Sequence, residues 1–215
     1  NVKVNAGKVR NSGIDFTLNT VNINSKTWGW DTSLNLSFLK NRVKELPAFI
    51  PELITGSVSS FISGYEITRV GDPIYSYYGY EVEGIFQKDD NIASSAQPNA
   101  KPGELKFKNQ DSDNAITSND RVVLGKPFPD VTFGFTNSLR YKNFSLSIFI
   151  QGSYGNDIYN ASRMETEGMY DDKNQTTVVL NRWRIPGQIT DVPKARFDMK
   201  NSTYFIEDGS YLRVK

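Results

Sequence analysis

Gly13-Ile14-Asp15-Phe16-Thr17-Leu18-Asn19-Thr20-Val21, a polar break, and then Trp28-Gly29-Trp30-Asp31-Thr32-Ser33-Leu34-Asn35-Leu36-Ser37-Phe38 form the stretch on which the fold turns. In the first run Ile14, Phe16 and Leu18 alternate with Asp15, Thr17 and Asn19. In the second, Trp28, Trp30, Leu34, Leu36 and Phe38 alternate with Gly29, Asp31, Asn35 and Ser37. A period of two places each set on one side of a pleated strand. The break Asn24-Ser25-Lys26-Thr27 is short and polar, so the two runs read as the arms of a hairpin. The same pattern returns later. Val131, Phe133, Phe135, Leu139 and Tyr141 alternate with small and polar residues, Lys142-Asn143 turns the chain, and Phe144, Leu146, Ile148 and Ile150 alternate with Ser145, Ser147, Phe149 and Gln151.

The composition excludes much. The chain has 215 residues, 25 Lys and Arg against 24 Asp and Glu, and a net charge of +1, which argues neither for nucleic acid nor for an acidic solvating tail. It has no Cys and no His, which removes disulfides, thiolate and imidazole metal sites, Cys and Ser-His nucleophiles and the commonest general base near neutral pH. An enzyme would have to run on carboxylates, Lys or Tyr, so no catalytic activity is expected. No run approaches the roughly 18 to 20 apolar residues of a membrane-spanning helix. A membrane strand needs only about 9 to 11 alternating residues, so a mean hydropathy of -0.49 does not separate a soluble β protein from an outer-membrane barrel.

Strand length and loop pattern favour the barrel. The strands run to about ten residues where soluble ones average about 5 to 6, and their apolar sides carry no charge. Short turns alternate with long polar segments at 41–64, 87–121 and 153–209, which suits short periplasmic turns and long external loops. The expected fold is all-β: an antiparallel transmembrane barrel segment, incomplete as it stands. Its lipid-facing residues would be Ile14, Phe16, Leu18, Leu34, Leu36, Phe38, Val131, Phe133, Phe135, Leu139, Phe144, Leu146, Ile148 and Ile150, with Trp28, Trp30 and Tyr141 as an interfacial girdle. A soluble carbohydrate-binding β-sandwich, whose apolar faces would meet each other, is the alternative.

Within the long segments, Tyr65 to Val70 and Ile74 to Phe86 read as strands around the breaker Gly71-Asp72-Pro73, and Thr176 to Arg184 reads as a short helix ending before Pro186. If both short turns face one side, an even number of crossings lies between the hairpins: these two strands, or none. The chain opens at Asn1 without an initiator Met and stops at Tyr211-Leu212-Arg213-Val214-Lys215 as if entering a strand, so it is expected to be an internal piece of something longer.

Three sets of residues suggest chemistry. From Asn109, oxygen-bearing side chains fall at Asp111, Asp113, Thr117 and Asp120, and Ala115 offers a backbone carbonyl, which is the ligand spacing of an EF-hand-type calcium loop; turn capping by the same side chains is the plain alternative. Tyr75, Tyr77, Tyr78, Tyr80 and Trp183 offer aromatic faces for stacking on sugar rings, or for packing. Glu81 and Glu83 lie on one side of a strand, but nothing else supports a glycosidase. Asn160-Ala161-Ser162 matches a glycosylation sequon that arises often by chance.

The ordered series Asn11-Ser12-Gly13-Ile14-Asp15, Asn41-Arg42-Val43, Gly71-Asp72-Pro73-Ile74, Tyr78-Gly79-Tyr80, Glu83-Gly84-Ile85-Phe86, Pro102-Gly103-Glu104-Leu105-Lys106-Phe107, Asp120-Arg121, Gly125-Lys126-Pro127-Phe128-Pro129, Gly155-Asn156-Asp157, Asn181-Arg182-Trp183 and Glu207-Asp208-Gly209-Ser210-Tyr211 resembles the mid-barrel segment of SusC/RagA-type TonB-linked outer-membrane transporters over nearly the whole chain. The resemblance implies that residues 1–215 belong to the barrel domain of a plugged barrel of about 22 strands, in the outer membrane of a Gram-negative bacterium. It implies import of oligosaccharides or peptides under a SusD-like surface lipoprotein, driven by the TonB complex through segments outside this chain.

Overall fold

The computed structural model describes residues 7–58 and 62–215. In chain order the strands are β1 (Lys8–Asn24), β2 (Trp28–Glu45), β3 (Glu52–Ser57), β4 (Ser63–Arg69), β5 (Ser76–Tyr80), β6 (Val82–Ile85), β7 (Leu105–Phe107), β8 (Arg121–Gly125), β9 (Val131–Tyr141), β10 (Phe144–Tyr154), β11 (Asp157–Tyr159), β12 (Ile206–Asp208) and β13 (Tyr211–Val214), with one short helix, α1 (Ser162–Glu167), between β11 and β12. Five strands make one antiparallel wall in the order β1-β2-β9-β10-β13. The strands of the first hairpin exceed expectation, at 17 and 18 residues, because both continue past the last apolar row.

Register gives the wall two faces. Directly opposed residues share a side of the sheet. Ile14 faces Phe38 and Phe38 faces Val131; Phe16, Leu36 and Phe133 form the next row; Leu18, Leu34, Phe135 and Ile150 the third. Leu139 lies opposite Leu146, and Tyr141 opposite Phe144. Ile148 lies opposite Asn137, so all fourteen residues assigned to the apolar side occupy it. One polar row crosses that side: a bulge between Val21 and Ile23 brings Asn22 to Thr32 (2.7 Å), and Asn137 accepts from Thr32 and from the Trp30 indole (3.0 Å), so the polar atoms there satisfy one another.

No second layer covers the apolar side among the described residues. Ile14 is 70% exposed, Leu146 54% and Phe144 78%. A sandwich would bury these side chains, so the sandwich alternative fails. The opposite side carries Asp15 bonded to Ser37, and Thr17 bonded to Asn35 (2.9 Å).

The two short turns lie side by side at one end of the wall. Lys142, at φ +52°, donates its N–H to the Thr27 carbonyl (2.8 Å), and the Trp28 and Tyr141 rings meet at 4.4 Å. Trp28 and Tyr141, two of the expected girdle residues, therefore stand together at the turn end. Since β2 pairs directly with β9, the number of crossings between the hairpins is none.

Both long excursions, 46–130 and 155–210, leave from the other end. Their described residues form one cap. The sheet β3-β4-β5-β8 and the pairs β6-β7 and β11-β12 give it a frame, and its core joins Ile62, Leu105 and Phe107 of the first excursion to Met164, Phe197 and Phe205 of the second. The single strand expected over Ile74 to Phe86 is two, because Tyr80 pairs with Arg121 while Val82 pairs with Phe107 in a different sheet. The helix expected over Thr176 to Arg184 is a 3-10 turn at Thr177–Asn181, and the α-helix lies earlier, at α1.

Candidate functional site

The cap places its polar side chains around a groove. Two adjoining hollows of about 380 and 400 Å³ share Asp198 and Lys200; Tyr80, Arg121, Glu165 and Asn201 line the first. The walls are held from both excursions. Tyr80 donates its N–H to the Asn201 carbonyl (2.8 Å), and the Val82 N–H donates to the Thr203 hydroxyl (2.9 Å). Gly79 sits so close to the Asn201 carbonyl that a Cβ there would meet the oxygen at 2.1 Å, which accounts for glycine between Tyr78 and Tyr80.

An ion pair between half-buried Arg163 and buried Glu167 fixes the second excursion. Arg163 meets Glu167 in two parallel bonds (2.9 and 3.0 Å) one turn apart on α1, Tyr204 donates its hydroxyl to the same carboxylate (2.7 Å), and the guanidinium lies 4.3 Å over the Tyr204 ring. Burial, with Glu167 adding to it, pushes the Tyr204 phenol well above its ordinary range. Tyr159 is also pushed well up by burial, stacked on Tyr65 at 4.4 Å and donating to Asn201 (2.7 Å). The sequence reading did not find this clasp. Its only trace is the four-residue spacing of Arg163 and Glu167.

The aromatic candidates do not gather into one platform. Tyr78 is buried under Arg121 (4.2 Å), Tyr77 packs toward Tyr159, Tyr80 packs on Phe107, and Trp183 covers Gly103 while its indole donates to Gln87 (3.1 Å). Tyr75, at φ +58°, is the one largely exposed member of the set. Glu81 and Glu83 are separated in role: each pairs with a lysine across the β6-β7 region, Lys108 and Lys106. The Lys108 ammonium, then the Gln110 amide, holds the Glu81 carboxyl below its usual range.

The acidic loop is folded by its own side chains. Asp120 is fully buried; one oxygen accepts from the Gln110 N–H and the other from the Thr117 N–H, each at 2.7 Å, as part of a capping box with Thr117. Asp111 accepts from the Asp113 N–H, and Asp113 from the Ala115 N–H. Position twelve of the calcium spacing is therefore committed to amides, whereas Asn109 Oδ1 is buried without a partner. No group of three or more His, Cys, Asp or Glu is placed to hold a metal among the described residues.

A one-layer wall with an apolar belt on one side, a polar side behind it and a folded cap at one end defines a segment of an antiparallel β-barrel. No protein-family model matches the chain. It is 34% identical over 215 residues to TonB-dependent receptor P3 of Formosa agariphila, covering 98% of this chain and 21% of that receptor, and 27% identical over 228 residues to TonB-dependent receptor SusC of Bacteroides thetaiotaomicron, covering 97% and 20%. The solved structure of the RagAB peptide transporter superposes with a TM-score of 0.74 at 22% identity, over 97% of this chain and 22% of that one. By sequence and fold, the chain is similar throughout to one barrel segment of SusC/RagA-type TonB-dependent receptors, as its motifs implied. It spans about one fifth of the length of these curated relatives, which are receptors rather than enzymes.

Proposed function

We propose that this chain forms part of the wall and external cap of a TonB-dependent importer of oligosaccharides or peptides in the outer membrane of a Gram-negative bacterium. The observation that carries the reading is sidedness: both short turns lie at one end, and both long excursions fold together at the other. In this reading the apolar side rests in hydrocarbon, the polar side surrounds a plugged watery passage, and the cap faces out. From Trp28 to Phe38 the apolar rows span about 33 Å along the strand, and a tilt of about 40° reduces this to about 25 Å, the height of a barrel's apolar band.

The groove offers cations, carboxylates and an aromatic edge within one hollow, which suits peptide termini and side chains as well as sugar hydroxyls. Peptide cargo is supported by the similar solved structure described as a peptide transporter, and oligosaccharide cargo rests on the family resemblance of the motifs. A SusD-like lipoprotein would close over the cap, and TonB would act through segments outside this chain. Tyr80 is the ring that would meet cargo in the groove, and Tyr75 is an exposed ring outside it. Calcium, if bound, would draw on Asn109 Oδ1 and the uncommitted oxygens of Asp111 and Asp113.

This segment lacks cysteine, so single cysteines introduced into it report topology in a full-length receptor whose other cysteines, where present, are replaced. In the full-length receptor on intact cells, a membrane-impermeant maleimide should modify Ile189→Cys on the cap and spare Lys26→Cys in the turn until the outer membrane is opened. Labelling of Lys26→Cys alone, or equal labelling of both, would overturn the reading.

A further inference from the structure

The alternation on β2 continues beyond its last apolar row. After Leu34, Leu36 and Phe38, the residues on the same side are Lys40 and Arg42, β1 adds Ser12 opposite Lys40 and Arg10 opposite Arg42, and past a bulge at Lys44 the ion pair of Lys8 with Glu45 ends the row. Arg10, Lys40 and Arg42 are exposed and make no hydrogen bond or ion pair among the described residues. The other side of the same strand end is occupied: Val43 is buried with its N–H on the Asp72 carbonyl, and Asn41 accepts from the Ile74 N–H (2.8 Å) and donates to Asn11. The basic tier thus belongs to the apolar side alone. Beside it opens a cleft of about 710 Å³ with Ile14, Phe38 and Phe128 as apolar wall, Lys40, Arg42 and Lys126 along its edge, and Asn41, Pro73 and Asp130 also in its lining. Lys126 is shared with Asp130.

Like charges directly opposed across a sheet destabilise it, and Arg10 faces Arg42 without an acid between them. An anion placed there would turn that repulsion into attraction. Each step of two residues rises about 5 Å along the barrel normal at the tilt used above, so Lys40 and Arg42 stand about 5 and 10 Å beyond the hydrophobic edge, at headgroup level. Their methylene stems are free to lie along Phe38 while the charges reach outward.

We propose that Arg10, Lys40 and Arg42 bind the phosphate groups of a lipid in the leaflet around the cap end, its acyl chains lying in the cleft against Ile14, Phe38 and Phe128. The proposal rests on the membrane placement given under Proposed function. Continuity of the cations with the apolar rows selects a lipid phosphate over a free anion, which would gain nothing from Phe38 and Phe128.

The test uses the full-length receptor in phosphatidylcholine nanodiscs doped with diphosphoryl lipid A, with the dephosphorylated lipid in a parallel arm, and native mass spectrometry to count retained lipid. Each of Arg10→Gln, Lys40→Gln and Arg42→Gln should lower retention of the phosphorylated lipid about five-fold. Lys26→Gln and Lys142→Gln in the turns should leave it unchanged. Equal retention by the triple variant and the parent, equal retention of the dephosphorylated lipid, or displacement by excess inorganic phosphate would overturn the proposal. Insertion is read separately, by the heat-dependent gel shift and by Ile189→Cys labelling, so loss of lipid in a correctly inserted receptor is distinguishable from failure of the membrane placement. Should the triple variant not insert, Lys40→Gln alone decides by the same five-fold criterion.

Discussion

Leu34→Arg is the most direct probe of the medium against the apolar side, because the register fixes its depth. Leu34 lies six residues from Trp28 and four from Phe38, in the row with Leu18, Phe135 and Ile150. At about 3.3 Å per residue and a tilt of about 40°, it stands about 15 Å from the turn-end edge of the band and about 10 Å from the cap-end edge, within about 3 Å of the midplane. Arginine at the midplane of a barrel costs about 2 to 4 kcal/mol and near the interface about 0 to 1, so Leu34→Arg should be severe and Phe38→Arg mild. Ile148→Arg, one row toward the turns, should resemble Leu34→Arg. Ser147→Arg, on the opposite side of β10, should be mild despite its neighbouring position. The assay is the folded, heat-modifiable fraction of full-length receptor recovered from outer membranes, supported by denaturant titration of folding into lipid vesicles. A cost that does not vary between Leu34 and Phe38, or equal losses for Ile148→Arg and Ser147→Arg, would refute the reasoning.

Three further outcomes follow from separate parts of the molecule. Expressed alone without detergent, the chain should aggregate through its uncovered apolar side and the open edges of β1 and β13, and detergent should disperse it; a soluble monomer would contradict the wall assignment. Asp111→Ala with Asp113→Ala should abolish any calcium-dependent thermal shift of the full-length receptor, and absence of a shift in the parent would dismiss calcium. The raised phenols of Tyr159 and Tyr204 mean that the folded cap holds these protons more tightly than the unfolded chain does, so their contribution is complete below about pH 10 and declines as pH rises past it. Tyr204→Phe should flatten part of that decline and cost about 1 kcal/mol at neutral pH, read as hydrogen exchange of cap amides; an unchanged alkaline slope would count against the Tyr204 contribution.

The wall was legible because its code is local. Alternation over Ile14 to Leu18 or Phe144 to Ile150 assigns every side chain from its neighbours, and hairpin turns leave little freedom in register. The cap was not, because its core gathers single residues from distant segments, such as Ile62, Leu105, Met164 and Phe205, none set in a period. The acidic loop was half legible. Its spacing brought oxygen atoms together, but spacing does not say which atoms they face, and Asp120 faces two amides. The tyrosine run shows the same gap: Tyr77, Tyr78 and Tyr80 differ in packing from Tyr75 because the backbone reverses at Tyr75, where φ is positive, a feature no residue count reveals.

The molecule holds two apolar surfaces with opposite fates, and β2 belongs to both. From Trp28 to Phe38 it contributes to a belt that stays uncovered by protein; beyond it, Val43 and Asn41 are gripped by the turn at Gly71 to Ile74 on the other side of the strand. A chain that simply buried its hydrophobic residues would fold the belt onto the cap core and lose the wall. The basic tier at Lys40 and Arg42 works against that collapse, since it would leave unpaired charges inside a dry core. The same side chains that make the belt unfit for a protein interior leave it fit for a bilayer bounded by wet interfaces. On the membrane placement proposed above, one sheet layer would suffice.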